Sequence, residues 1–152
     1  MRLAVLLFFL TTTCFAQPTP SGIYIVYTFA KKNKCEQEVK MLIGNSRVCI
    51  SKKPILGIQE IENVSDIVHD RVEEVSYINV LISSKGIETL NKIFEVLPKS
   101  EFVFVLENNG LGSFIITDKI KTPIMRVGAD VDSNDLQLIH ALLKRAQRRE
   151  NN

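Results

Sequence analysis

The chain has 152 residues, 45% of them hydrophobic and 24% charged, which is the size and composition of one ordinary globular domain. Lysine and arginine number 19 against 17 aspartate and glutamate, so the net charge is only +2. A nucleic-acid-binding protein normally gathers a much larger basic excess on one face. We therefore expect no nucleic acid among the partners of this protein.

The first sixteen residues have the layout of a secretory signal peptide. Arg2 supplies a positive start, residues 3–10 are an unbroken apolar run, and Cys14 and Ala16 are the small residues that a signal peptidase reads. The run is too short to cross a membrane, which takes roughly 20 apolar residues. We expect cleavage after Ala16 and a mature periplasmic or secreted protein without an integral membrane segment. A retained N-terminal anchor and a lipid on Cys14 are the alternatives.

The first third of the mature chain is rich in strand patterns. Residues 17–22 contain two prolines and predict a flexible leader, so a single globular domain is expected over residues 23–150. Residues 23–29 are apolar on both alternating faces, which predicts an interior strand. Residues 39–43 and 47–51 flank a Gly-Asn-Ser turn and predict a hairpin.

Two cysteines remain after removal of the signal peptide, Cys35 and Cys49. They flank the predicted hairpin, whose strands bring them close if the register allows. In an oxidising compartment a disulfide between them is the expected state. Because no histidine lies near them in the sequence, they do not form the pattern of a zinc site.

The middle of the chain contains an ambiguous stretch, a strand and a helix. Residues 58–74 begin with helical spacing of apolar residues and continue with a strand-like pattern, so both interpretations stay open. Residues 75–82 predict a strand. Ser83 and Ser84 are candidate caps of a helix that Pro98 ends. The apolar stripe of this helix consists of Ile87, Leu90, Ile93, Phe94 and Leu97.

The last third predicts three more strands and a second helix. The strands cover residues 101–106, 113–117 and 124–127, with a turn at residues 108–110. Asp132 or Ser133 caps the last helix. Its stripe consists of Leu136, Ile139, Leu143 and Ala146. Together these patterns predict the α+β class, as a mostly antiparallel sheet with two helices packed on one face.

Residues 47–143 also carry a recognisable order of elements. A strand ends in Lys53-Pro-Ile-Leu56, a second leads into Ser84-Lys-Gly86, and residues 102–106 precede a glycine turn. A segment with Gly128 and a closing helix rich in leucine follow. This order resembles the head region of the first periplasmic domain of SecD, the accessory subunit of the bacterial Sec translocon.

The chain departs from the SecD pattern in three places. The family's Asp-Gly strand end is here Leu106-Glu-Asn-Asn-Gly110, and its Ala-Pro after the hairpin is Ser113-Phe114. The transmembrane helices through which SecD uses the proton gradient are missing, so we expect a free-standing relative of the head and not a translocation motor. Because that head is thought to meet emerging polypeptide, the resemblance implies protein contact rather than catalysis.

Few residues are arranged as catalytic groups. His69 lies between Asp66 and Asp70, and a histidine oriented by a carboxylate is a catalytic arrangement. Solvated turn charges are the favoured interpretation of these three residues, and His140 is interpreted as a packing residue. The basic residues 144–149 end the last helix, where cations complement the helix dipole. We predict no catalytic, cofactor-binding or metal-binding residue and no cofactor.

Three functions stay open at this point. The leading hypothesis is an exported, non-enzymatic domain that binds another protein, such as an unfolded or exported polypeptide. The second is an immunity protein that neutralises a toxin acting in the periplasm. The third is an exported enzyme of unrecognised type, for which Asp66, His69 and Asp70 are the first candidates.

Leu111 and Phe114 are the candidate partner contacts. The turn over residues 107–112 is expected to hold Leu111 at an exposed hairpin tip, with Phe114 close behind it. An apolar side chain at such a tip is unfavourable unless the core or a partner buries it. Burial of Leu111 against the protein's own sheet is the favoured interpretation, and a partner contact is the alternative.

Overall fold

The structure is a computed structural model that describes residues 18–27, 35, 37–129 and 131–150, which form nine strands, two α-helices and one 3₁₀ turn. In chain order these are β1 (Gly22–Tyr27), β2 (Gln37–Met41), β3 (Arg47–Ile50), β4 (Leu56–Gly57), the 3₁₀ turn (Ile58–Glu60), β5 (Ile61–Asp70), β6 (Val75–Ile82), α1 (Ser84–Val96), β7 (Glu101–Leu106), β8 (Asn109–Ile115), β9 (Ile124–Val127) and α2 (Ser133–Glu150). The predicted α+β class is confirmed. The predicted signal peptide lies outside the described residues.

Six strands form the first sheet, and five of them close into a ring. One edge of β1 pairs with β7, and its other edge pairs with β4 and then with β3. From β3 the pairing continues to β2, then in parallel to β8, and back to β7. One face of each ring strand points inward. The inner faces enclose a small core of Tyr24, Val39, Ile50, Val103 and Val105, all buried.

The other three strands form a separate antiparallel sheet in the order β5-β6-β9. Its inner face, the outer face of the ring and both helices share the main core. Buried members of this core are Phe104 and Leu106 from the ring, Ile78 and Val80 from β6, Leu90 from α1, and Leu136, Ile139 and Leu143 from α2. The prediction of one sheet with two helices on one face is therefore corrected to two sheets around a shared core. The strands divide between two sheets because pairings between distant segments close five of them into the ring.

The ambiguous stretch from residue 58 is the 3₁₀ turn followed by the ten-residue strand β5. Its pairing with β6 shifts register between Ile61 and Asn63 and again between Val64 and Ile67. Each such bulge displaces the inward and outward alternation of side chains by one residue. Apolar residues three apart consequently reach one face of a strand, which is why the sequence pattern resembles a helix.

Both helices begin at a polar cap. The Gly86 N–H donates to Ser83 Oγ at 3.0 Å at the start of α1. At the start of α2, the N–H groups of Asn134 and Asp135 both donate to Asp132 Oδ1 at 2.9 Å. Of the two cap candidates for each helix, the structure uses Ser83 for α1 and Asp132 for α2. Their side chains satisfy N–H groups of the first turn that have no partner within the helix.

Cys35 and Cys49 are joined by a disulfide, as the sequence predicts, with their Cα atoms 5.4 Å apart. Cys49 lies in β3, where it is paired with Tyr27 of β1 on one side and with Glu38 of β2 on the other. Among the described residues, two pairs join β1 to β3, Val26 with Ile50 and Tyr27 with Cys49. The disulfide therefore lies at the pairing that closes the ring.

The turn between β7 and β8 consists of Glu107 and Asn108, with φ angles of 47° and 68°. Two successive left-handed residues are the signature of the hairpin turn whose twist matches the flanking strands. The Glu107 carboxylate accepts hydrogen bonds from Arg145 and Arg149 of α2, the second at 2.7 Å. These ion pairs hold the end of α2 against the turn.

Residues of the predicted leader contact the same turn. The Thr19 N–H donates to Asn108 Oδ1 at 2.6 Å, and the buried Tyr24 hydroxyl donates to the Pro20 carbonyl oxygen at 2.6 Å. The structure assigns Gly22 to β1 and not to the leader. The division into a signal peptide, a flexible leader and a globular domain stays a prediction.

Candidate functional site

The three candidate catalytic residues do not converge in the structure. The Asp66 carboxylate faces α2, 3.7 Å from His140 Nε2 and 3.7 Å from Lys144 Nζ. His69 Nδ1 lies 2.7 Å from the hydroxyl of Ser76 on the neighbouring strand. Each of these residues therefore has its own local partner, and together they do not form a catalytic group.

Asp70 has a purely local role in the turn between β5 and β6. Its carboxylate accepts the N–H of Val72 at 2.9 Å and that of Glu73 at 3.2 Å. The hydrogen bond from Glu73 and then that from Val72 lower the pKa of Asp70 below its ordinary value. Within the described part of the chain, no three His, Cys, Asp or Glu side chains are grouped so that they would hold a metal ion.

The structure buries Leu111 in the core, as the favoured interpretation expects, and does not place it at the predicted hairpin tip. The two-residue turn is Glu107-Asn108, so β8 already begins at Asn109. Leu111 is only 1% exposed and belongs to the main core. The ladder shifts register at this point, between Phe104 and Val105 of β7. Phe114, the other candidate contact, is half-buried and stacks on Phe102 with ring centroids 5.6 Å apart.

Phe114 lines an apolar groove of about 320 Å³. The groove is formed by the end of β8, the loop that follows it, the start of α1, and β9. Its apolar lining consists of Ile82, Ile87, Phe114, Ile115, Ile116, Ile120, Ile124 and Met125. Two of these side chains are largely open to solvent, Ile115 at 56% and Ile124 at 51%. We call this feature the apolar groove.

One wall of the apolar groove is fixed by a pair of side-chain hydrogen bonds. Asn91 of α1 donates from Nδ2 to the Ile120 carbonyl oxygen at 3.1 Å, and its Oδ1 accepts the Ile120 N–H at 2.8 Å. An amide that satisfies both backbone groups of one residue leaves that residue little freedom. The loop between β8 and β9 is thus held against α1, and the groove is preformed.

Sequence reasoning selects only Phe114 from this lining. Ile115 and Ile124 are predicted as strand residues, but the sequence pattern does not reveal that their side chains stay exposed. An alternating pattern indicates which residues share one face of a strand. It does not indicate which edges and faces of the assembled sheet lack a partner.

A second groove, of about 580 Å³, has a lining whose polar side chains include Gln59, Glu60, Lys85 and Thr89. Its charged groups satisfy one another. Glu60 accepts a hydrogen bond from the Ser83 hydroxyl, and its other oxygen lies 3.4 Å from Lys85 Nζ. Because Ser83 is also the cap of α1, the Glu60 carboxylate supports the start of the helix rather than offering a free binding group.

Glu60 should couple folding stability to pH. The hydrogen bond from Ser83 lowers the pKa of Glu60 below its ordinary value of 4.5. The stabilisation is therefore complete above the ordinary pKa and is lost as the pH falls through the lowered one. We expect Glu60→Gln to lower the free energy of unfolding by about 1 kcal/mol at neutral pH. Urea denaturation at several pH values measures this loss.

The difference between wild type and Glu60→Gln should shrink as the pH falls below 4.5, because the wild-type carboxylate becomes protonated as the pH passes through its lowered pKa. Glu62→Gln is the matched control. Glu62 is exposed, and this substitution should change the free energy of unfolding by less than about 0.5 kcal/mol. A difference for Glu60→Gln that stays constant with pH would contradict the assigned role.

No known family model and no curated protein matches this sequence. Two solved structures match the fold. The first is a crystal structure of SecDF in its super-membrane-facing form, with a TM-score of 0.57, 10% identity and 81% of this chain covered. The second is a structure of SecDF, described there as a membrane component that enhances protein export, with a TM-score of 0.55, 12% identity and 83% of this chain covered.

These matches confirm the predicted SecD-like fold. At such low identity they show the fold alone. The chain spans 18% of the first SecDF chain and 63% of the second, less than two thirds of either. Among the described residues, no helix combines the length and apolar character needed to cross a membrane.

Proposed function

We propose that this protein is an exported, non-enzymatic domain that binds another polypeptide in the apolar groove. The observation that carries the proposal is the groove itself, which has two largely exposed isoleucines and one wall held in place by Asn91. Exposed apolar patches rimmed by polar groups are typical of protein contact sites. The rim here is polar, with Thr117, Asp118 and Arg126.

The fold supports the same function. SecDF, whose fold this chain shares, is described as a component that enhances protein export. Export of this protein itself is supported by the signal-peptide pattern of residues 1–16 and by the disulfide. Asp66, His69 and Asp70 each have a separate local partner, which supports the non-enzymatic proposal over the enzymatic alternative.

Binding of an unfolded chain tests the proposal. The probe is reduced and carboxymethylated lysozyme, which stays unfolded, and the readout is the dissociation constant from fluorescence anisotropy. We expect wild-type protein to bind the probe. Ile115→Asp and Ile124→Asp should each weaken binding at least tenfold, since a carboxylate in the groove is desolvated by an apolar ligand.

The matched control is Leu138→Asp. Leu138 is exposed to a similar extent, 46%, but it lies on α2 and does not line the groove. This variant should bind the probe like wild type, and all three variants should keep the wild-type melting temperature within a few degrees. Equal loss of binding in all three variants, or no binding by the wild type, would refute the proposal.

A further inference from the structure

The two edges of the three-stranded sheet differ in how far other elements cover them. On the β5 edge, α2 places three polar side chains against backbone carbonyl oxygens. His140 Nε2 lies 3.1 Å from the oxygen of Ser65, Lys144 Nζ donates to that of Val64 at 2.6 Å, and Gln147 Nε2 donates to that of Glu62 at 3.0 Å. Covering an edge with a helix and bending it with bulges are two ways in which proteins block unwanted strand pairing. The β5 edge has both.

The β9 edge has no such cover among the described residues. β9 pairs with β6 on one side, and no described strand pairs with its other side. Beside β9, the Ile82 N–H donates to the Pro123 carbonyl oxygen at 2.8 Å. In an antiparallel ladder, hydrogen-bonded residue pairs alternate with pairs that are not hydrogen-bonded. Because Ile82 and Pro123 form a hydrogen-bonded pair, the N–H and C=O groups of Ile124 and Arg126 point away from β6. These two residues present the free backbone groups of the edge.

The free edge borders the apolar groove. Ile124 and Arg126 both line the groove, and their side chains are 51% and 54% exposed. The outward backbone groups of two alternate strand residues repeat at about 6.8 Å, which is the repeat of an extended chain and not of a helix.

We infer that the bound polypeptide adds to β9 as a fourth strand of this sheet. This inference rests on the proposed function and specifies its binding mode. The partner is an extended segment whose backbone pairs with Ile124 and Arg126 and whose apolar side chains enter the groove. Main-chain pairing supplies affinity without a fixed sequence, and the groove selects apolar side chains at alternate positions.

Amide hydrogen exchange of ¹⁵N-labelled protein tests the inference directly. Unfolded carboxymethylated lysozyme is added, and the exchange rates of Ile124 and Arg126 are followed by NMR. Strand addition should slow the exchange of both amides at least tenfold. Binding through side chains alone would leave both amides at their free rates, and that result would overturn the inference while leaving the proposed function intact.

Arg126→Pro and Arg126→Ala form a matched pair. Both remove the guanidinium group, whereas only proline removes the outward N–H and places its ring on the open edge. The ladder to β6 does not use this N–H, and proline is tolerated on edge strands in this orientation. We expect the proline variant to bind the unfolded lysozyme at least tenfold more weakly than the alanine variant.

The remaining outcomes also decide the matter. Equal affinity of the proline and alanine variants would overturn strand addition. If the proline variant loses its fold, the amide exchange of wild-type protein decides alone. Failure of the wild type to bind the probe would overturn the proposed function and the inference together. Sedimentation that shows a dimer of this chain through β9 would assign the edge to a second copy and overturn the inference.

Discussion

Replacing Leu111 with alanine should lower the free energy of unfolding by about 3 kcal/mol, within the range of about 2–5 kcal/mol for buried leucines. Leu111 is 1% exposed in the main core, between the ring and the second sheet. Truncation removes apolar contacts and leaves a cavity that a strand in the middle of two ladders has little freedom to close. Urea denaturation followed by circular dichroism measures the loss.

Leu138→Ala is the control for this substitution. It makes the same chemical change at a position that is 46% exposed on α2, so it should cost less than about 0.5 kcal/mol. Binding of unfolded lysozyme by Leu111→Ala should stay at the wild-type level under conditions where the variant is folded. A variant of normal stability that loses binding would restore Leu111 as a partner contact.

Loss of the disulfide should lower the free energy of unfolding by a similar amount, about 3 kcal/mol. The bond joins residues 14 apart in sequence, and in the chain-entropy model a loop of this length restricts the unfolded chain by about that much. The bond also lies at the pairing of β1 with β3 that closes the ring. We therefore expect the amides of β1 and β3 to lose exchange protection before those of β6.

Equilibrium denaturation of the oxidised protein and of the Cys35→Ser, Cys49→Ser double variant measures the effect. Addition of a reductant is the internal control, since it should destabilise the wild type and leave the double variant unchanged. Identical denaturation midpoints of the wild type with and without reductant would show that the bond does not contribute to stability.

The local elements follow from the sequence because their causes are local. The strand over residues 75–82, the helix from Ser84 to Val96 and its serine cap lie where the apolar periodicity and the capping residues predict. The cysteine pairing follows from the sequence because Cys35 and Cys49 are the two cysteines that remain once Cys14 is assigned to the predicted signal peptide. The stretch after residue 58 is misleading because bulges give a strand the spacing of a helix.

The candidate site, in contrast to the local elements, does not follow from the sequence. Phe114 is the one residue of the groove that sequence reasoning selects. The reason for selecting it is its position after a predicted turn at residues 107–112, whereas the observed turn is Glu107-Asn108. The groove itself exists because the loop before Ile124 is tied to Asn91, which is 29 positions from Ile120 in the sequence. No periodicity within either segment encodes that contact.

The sequence by itself thus determines the secondary structure, the caps and the apolar faces of most segments, while the signal peptide over residues 1–16 stays a prediction. The tertiary structure alone decides which strands become neighbours. Ring closure through β1 and β3, burial of Leu111 and the cover on the β5 edge all depend on pairings between distant segments. The same holds for the outer edge of β9, which no strand of the described part of the chain pairs with. Alternation of side chains is the same for a paired strand and an unpaired one, so only the assembled sheets show which edge remains free.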